Sequence, residues 1–198
     1  MRPAAALEDL VLRRIRENAA VSEAMAADEA FQRVLREVAK AVLEALRKGK
    51  KVLFFGNGGS AADAQHLAAE LAGRYQRDRQ GLPGLALTTN ASTLTAIGND
   101  YDYSQVFARQ IEALGGAGDI AIAISTSGQS DNVLRAVQTA RSKGLKTIAL
   151  TGQRGGKLKS LVDLCLCIPS EETARIQEGY MLSGHILCEI VEEELFGK

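Results

Sequence analysis

Two histidines occur among the 198 residues, His66 and His185, and both stand where they could do chemistry. His66 comes four residues before Glu70 in a run rich in alanine and leucine. On an α-helix that spacing stacks the two side chains one turn apart on one face. An imidazole and a carboxylate so placed can move protons or share a divalent cation. Asp63 and Arg74 extend the same polar stripe, whereas Leu67 and Leu71 face elsewhere. The stripe also has an ordinary reading, in which Glu70 and Arg74 form an i,i+4 ion pair worth ~0.3 kcal/mol and His66 borders a core face. His185 follows Gln177 by eight residues on another helical stretch. Those two positions differ by about 80° around a helix, so both could face one cavity. Gly184 removes bulk beside His185. A solvated glutamine and a satisfied core histidine are the alternatives.

Two turns offer anion sites. The apolar, β-branched run Val52–Phe55 reads as one buried strand, and Gly56-Asn57-Gly58-Gly59 breaks it. Ser60 then opens a helix, with Asp63 three residues on resembling a capping box. Backbone N–H groups can approach a ligand closely at such glycines, and the helix dipole favours negative charge there. The second turn, Ser125-Thr126-Ser127-Gly128-Gln129-Ser130, closes the apolar strand Asp119–Ile124 and precedes a helix through Val133, Leu134 and Val137. It offers hydroxyl and amide donors without a lysine, which suits a sugar phosphate better than a nucleoside triphosphate. A serine-rich surface turn is the bland alternative. Ligands of open parallel sheets bind beyond the carboxyl ends of strands, where both turns fall.

The elements that must carry these residues alternate strand and helix. Further strands are expected at Leu85–Thr88, Lys146–Leu150 and within Leu161–Ile168. A short helix runs from about Ser92 to Gly98, another through Phe107 and Ile111, and a long one from Thr173 to Phe196. Thr151-Gly152 and Gly155-Gly156 form the loop after the fourth strand. This pattern predicts an α/β protein with a doubly wound parallel sheet. Right-handed crossovers then set the 56–60 and 125–130 turns on one edge. Residues 1–49 are helical in pattern, with breaks expected at Val21-Ser22 or Ala27-Asp28. That pair has no sheet of its own to cover, and is expected either to pack across the domain or to join other subunits, with residues 50–198 forming the chemical domain.

Composition bounds the function. The apolar fraction of 46% supports a sizeable core, and a formal net charge of zero gives no attraction to nucleic acid or anionic membrane. No apolar run reaches the length of a membrane span, and no signal-peptide core opens the chain, so a cytoplasmic location is expected. Cys165, Cys167 and Cys188 form neither an even framework nor a CxxC motif. Cys165 and Cys167 are expected on opposite faces of a strand as buried, reduced thiols. Gly56-x-Gly58-x-x-Ala61 fits a loose dinucleotide fingerprint, but the second strand ends in Thr88-Thr89-Asn90 where a ribose-binding acid belongs.

Assembled, these segments resemble the sugar isomerase (SIS) domain family and within it the phosphoheptose isomerases. The resemblance rests on GNGGSAADAQH at 56–66, AELAGRY at 69–75, TAIGNDYDY at 95–103, ISTSGQS at 124–130, ALTGQRGG at 149–156 and ARIQEGYMLSGH at 174–185. It implies a five-stranded parallel sheet between helices, a homotetramer built by the N-terminal helices, and active sites at subunit boundaries. The implied activity converts sedoheptulose 7-phosphate to D-glycero-D-manno-heptose 7-phosphate. A divalent metal, zinc, would be held by His66, Glu70, Gln177 and His185. The phosphate would be cradled by Ser125, Thr126, Ser127 and Ser130, with Ser60 nearby. Asn57, Gly58, Gly59, Asn99 and Asp100 would hold the sugar, together with Glu70 and Gln177. Glu70 would be the base at carbon and His185 the second acid/base. Ala174 and Tyr180 depart from the family's usual acidic residue and histidine, which bears on sugar-hydroxyl contacts. Two rivals share the fold: a non-enzymatic relative that binds the DnaA replication initiator, and an isomerase of another phosphosugar such as arabinose 5-phosphate. The first lacks an acid at the position of Glu70 and the second histidine, and the second usually carries extra domains.

Overall fold

The computed structural model describes residues 4–197, with side chains described from Asp9 onward; the outermost residues of the two expected segments lie outside that range. Two helices open the described chain, α1 (Ala4–Ala27) and α2 (Glu29–Arg47). They part at Asp28, whose carboxylate accepts hydrogen bonds from the backbone N–H groups of Ala30 and Phe31 and so caps α2. Val21-Ser22 lies inside α1 and breaks nothing.

Five strands and six further helices follow: β1 (Val52–Gly56), α3 (Gly59–Ala72), β2 (Gly84–Ala86), α4 (Ala91–Asp100), α5 (Ala108–Leu114), β3 (Ile120–Ser125), α6 (Asp131–Ser142), β4 (Lys146–Gly152), α7 (Leu158–Leu161), β5 (Leu164–Ile168) and α8 (Thr173–Phe196). A single 3-10 turn at Tyr103–Gln105 precedes α5. All strand pairs are parallel, in the order β2-β1-β3-β4-β5. The expected doubly wound α/β architecture is therefore present.

The alternation in β3 shows how the two layers are built. Ile120, Ile122 and Ile124 point to the face covered by α2, α3 and α8. Ala121 and Ala123 point to the other, where α5 and α6 lie. Small residues on that side admit Phe55 and Phe107, whose rings pack 5.7 Å apart, and the valines of α6. Each fully buried isoleucine contributes roughly 1.5–3 kcal/mol relative to leaving it exposed.

Of the two placements expected for the N-terminal helices, α2 takes the first and packs across the domain: Phe31, Leu35, Val38 and Val42 are buried in the same core as β3 and β5. Helix α1 instead leaves Val11, Leu12 and Ile15 exposed. The expectation of opposite faces for the two cysteines is corrected: Cys165 and Cys167 lie on one face of β5, with Sγ atoms 3.6 Å apart, because side chains two residues apart on a strand share a face.

The winding fixes where a ligand can sit. From β1 the chain crosses one way to β2, and from β3 it crosses the other way to β4, so the connections diverge between β1 and β3. At such a switch point the loops beyond the strand ends part and leave a crevice. The two loops bordering it are Asn57–Gly58 and Thr126–Ser130.

Candidate functional site

The first loop turns sharply into α3. Gly58 takes φ 56°, a left-handed conformation, and holds the N-cap position without a side-chain cap. The capping box expected at Ser60 and Asp63 does not form. Ser60 is already inside the helix and buried, its Oγ 3.4 Å from the Tyr180 hydroxyl. Burial pushes that phenol up to about 12. The Asp63 carboxyl is pushed up to about 6, chiefly by burial, with His66 pulling the other way, and its Oδ2 is buried with no hydrogen-bond partner. Gln177, from the first turns of α8, lays its side-chain amide against Gly59, where a Cβ would displace it.

The second loop is braced from within and from behind. Ser125 is buried; its Oγ accepts from the Gly128 N–H at 3.2 Å and lies 3.5 Å from Ser130 Oγ. Ser127 Oγ accepts from the Gln129 N–H. Ser130 holds the N-cap position of α6 without using its hydroxyl as a cap. Behind the loop, Gly128 and Gly156 lie so close to the neighbouring backbone that neither could carry a side chain, and a Cβ at Gly155 would strike Lys159. Beside it opens a cleft of about 340 Å³ lined by Thr126, Ser127, Gln129, Arg154 and Ser170.

Two residues that sequence reasoning passed over join the loops. Asn132, buried in the first turn of α6, donates from Nδ2 to Asn57 Oδ1, and Asn57 Nδ2 donates back to Asn132 Oδ1, both at 2.8 Å. The Tyr103 hydroxyl donates to Asn57 Oδ1 at 3.3 Å. A buried asparagine just after a serine-rich turn was the available signal for Asn132. Asn99 and Asp100 end α4, exposed, and bond to each other at 2.8 Å.

The acid and the histidines converge. His66 and Glu70 on α3 and His185 on α8 bring ligand atoms within 4.8 Å of one another. His66 Nε2 lies 3.0 Å from His185 Nε2 and 3.3 Å from Glu70 Oε1. The two helices approach closely because Gly184 sits on Leu67, where a Cβ would not fit. Among the described residues Glu70 forms no ion pair with Arg74 and pairs with His66 instead, and His66 is exposed. Gln177 makes no hydrogen bond to the three among the described residues.

A buried ion pair fixes that approach. Arg79 bonds Glu192 Oε1 at 3.0 Å, and both side chains are only 2% exposed. Its guanidinium also donates to the carbonyls of Glu70, Leu71 and Gly73, closing the C-terminus of α3. Glu192, on α8, accepts from the N–H groups of Tyr75, Gln76 and Arg77. Tyr75 in turn stacks on His185, ring centroids 5.8 Å apart.

The donor set fits a divalent cation. Two imidazole nitrogens, each about 2.0–2.1 Å from a tetrahedral zinc, stand about 3.3 Å apart, close to the spacing seen between the histidines. Two unprotonated Nε2 atoms would repel at this distance, so the pair needs a proton or a cation between them.

A parallel sheet wound about β1 and β3, with Gly- and Ser-rich loops at its switch point, is the architecture of a domain that binds a phosphorylated ligand beyond its strand ends. The chain belongs to the SIS domain family, whose model matches residues 15–152. Its curated relatives make the assignment narrower. A phosphoheptose isomerase of Aliarcobacter butzleri is 56% identical, covering 84% of this chain and 88% of that protein. One from Burkholderia pseudomallei is 52% identical over 90% of each. The solved structure of a phosphoheptose isomerase from Neisseria gonorrhoeae superposes with a TM-score of 0.88 at 41% identity, covering 94% of this chain and 99% of that one. Within the SIS domain family the chain is thus a member of the phosphoheptose isomerases, enzymes that isomerise a phosphosugar.

Proposed function

We propose that the enzyme interconverts sedoheptulose 7-phosphate and D-glycero-D-manno-heptose 7-phosphate through an enediol, the first step toward a nucleotide-activated heptose. The observation that carries this reading is the convergence of His66 and Glu70, on the helix that begins at the Gly-rich loop, with His185 of α8. From Gly59 to His66 the helix rises about 10 Å, the scale of an extended seven-carbon chain held by its phosphate at the crevice.

The phosphate is held by Ser125, Thr126, Ser127 and Ser130, where hydroxyls and the start of α6 supply donors. Asn57, Gly58, Gly59, Ser60, Asn99 and Asp100 bind the sugar. Glu70 removes the carbon proton at C2 or C1. Its Oε1 faces His66, which leaves Oε2 for that proton. His185 shuttles the proton between O1 and O2. A zinc ion held by His66, Glu70, His185 and Gln177 would supply Lewis-acid polarisation of the substrate oxygens.

Assembly and location belong to the same reading. The exposed Val11, Leu12 and Ile15 on α1, with Leu182 on α8, support a homotetramer with sites at subunit boundaries. Three free cysteines suit a reducing compartment, so we assign the enzyme to the cytoplasm. Products would supply a surface glycan such as lipopolysaccharide.

The test is turnover of sedoheptulose 7-phosphate in D2O. Deuterium entering the product's carbon skeleton is the expected result. Binding without turnover would point to the non-enzymatic relatives, and turnover of only a different phosphosugar would move the substrate assignment.

A further inference from the structure

The face of β5 beneath α7 carries two thiols for which the isomerase reaction has no use. Cys165 and Cys167 are free and half-buried, with Sγ atoms 3.6 Å apart. Their partners across the ladder are Ala149 and Thr151, neither of them large enough to wedge between the sulfurs. Cys165 packs into the smaller core beside Leu161 and Val162, and Lys159 of α7 brings a positive charge to the pair. β5 is an edge strand, hydrogen-bonded to β4 alone, so its other side is free of a ladder that would resist small shifts. Cys188, by contrast, is buried in α8 away from a second thiol, and burial pushes it up to about 12.

We propose that Cys165 and Cys167 form a redox site, in which hydrogen peroxide oxidises the pair to an intrachain disulfide and a dithiol reductant reopens it. The two thiols are already unequal. The hydrogen bond between them draws Cys167 down to about 7 and pushes Cys165 up. Cys167 is therefore the more readily ionised of the two, and thiolates are the nucleophiles of such chemistry.

The atoms balance in two steps. The Cys167 thiolate attacks one peroxide oxygen; the O–O bond breaks, and the departing hydroxide takes a proton to leave as water. Cys167 is now a sulfenic acid. The Cys165 sulfur attacks the Cys167 sulfur, the S–O bond breaks, and the hydroxyl leaves with the Cys165 proton as a second water. Two thiols lose two electrons and one peroxide becomes two waters. Closure brings the sulfurs to a bond of about 2.05 Å and the Cβ atoms to about 3.8 Å, closer than the roughly 6.6 Å that separates alternate residues of a strand, so the edge strand must pucker between Cys165 and Cys167.

The experiment uses the intact, metal-replete enzyme treated with stoichiometric hydrogen peroxide. The intact mass should fall by about 2 Da, with the loss on the peptide that contains both cysteines, and dithiothreitol should restore it. The denatured thiol titre should drop from three to one. Oxidation should quicken as pH rises through about 7, following the Cys167 thiolate. Cys165→Ser should stop at a Cys167 sulfenic acid, about 16 Da heavier, that dimedone traps. Cys188→Ser should behave as the parent. Three thiols persisting at peroxide doses that oxidise free cysteine would overturn the proposal, as would loss through Cys188 or through a disulfide between chains. If Cys165→Ser does not fold, the parent's mass shift and peptide map decide alone.

Discussion

His66 and His185 present their Nε2 atoms to each other at 3.0 Å across the gap between α3 and α8. Each ring nitrogen can be a donor or an acceptor, and the pair can hold one proton between them or share one cation, but not neither. Glu70 reaches the same point from one turn along α3. A polar cluster spanning two helices in this way is suited to a reaction that moves protons on adjacent atoms.

Glu70→Gln keeps size and hydrogen bonding while removing basicity. Turnover should fall by at least about 10², the lower range for general acid–base catalysis. The variant should fold, because Glu70 is partly exposed and its backbone carbonyl still takes the Arg79 bond. Metal content measured on the same sample separates loss of the base from loss of the ion. Near-parental turnover by a metal-replete variant would pass the role of base to His185.

Ser127→Asp places a fixed negative charge in the loop proposed to hold phosphate. The Michaelis constant should rise steeply, and direct titration with substrate should show the same loss of affinity. Unchanged binding would locate the phosphate elsewhere.

Glu192→Gln removes the partner of a guanidinium that is 2% exposed. Breaking a buried pair on one side costs roughly 3–5 kcal/mol, so the denaturation midpoint in urea should drop accordingly. Arg79→Met combined with Glu192→Leu should recover part of that stability, because it removes the uncompensated charge. If the single variant unfolds at the parental midpoint, the pair does not hold α3 to α8.

Asp63 sets a pH dependence with a definite sign. Its carboxyl is raised from 3.8 to about 6 in the folded chain, mainly by burial. Between those values the folded protein keeps a proton that the unfolded chain has lost, so this group's contribution to stability falls as pH rises through the window and stays low above it. In metal-free protein, Asp63→Asn should gain stability relative to the parent from pH 4 to 6. Urea midpoints across that range provide the measurement, and a constant difference would show that Asp63 does not titrate there.

The parts legible in the sequence were those set by local period. The Ile/Ala alternation of β3 marked a two-faced strand, and the spacing of His66 and Glu70 put them on one helical face. What escaped was set by pairing at long range. Asn57 and Asn132 are 75 residues apart and Arg79 and Glu192 113 apart, and neither pair leaves a periodic trace. Residue type misled at Ser60, which resembles a cap; the chain turns at Gly58 instead, and α3 begins two residues before the start that a Ser60 cap would set. The helical pattern of residues 1–49 did not say what α2 would cover. The placing of Cys165 and Cys167 on opposite faces ran against the two-residue period of a strand, so that information was present in the chain and misapplied.

The reciprocal amide pair between Asn57 and Asn132 makes recognition at this crevice an exchange. Asn57 gives its N–H to Asn132 and takes two donors on its carbonyl, from Asn132 at 2.8 Å and from Tyr103 at 3.3 Å. If Asn57 binds the sugar as proposed, a hydroxyl that engages this carbonyl would most readily replace the longest of these bonds, and the tyrosine would be a stand-in for the substrate. Such a site would reward only molecules that return a hydrogen bond for the one they remove, and a deoxy sugar at that position would be refused for want of currency rather than for want of room.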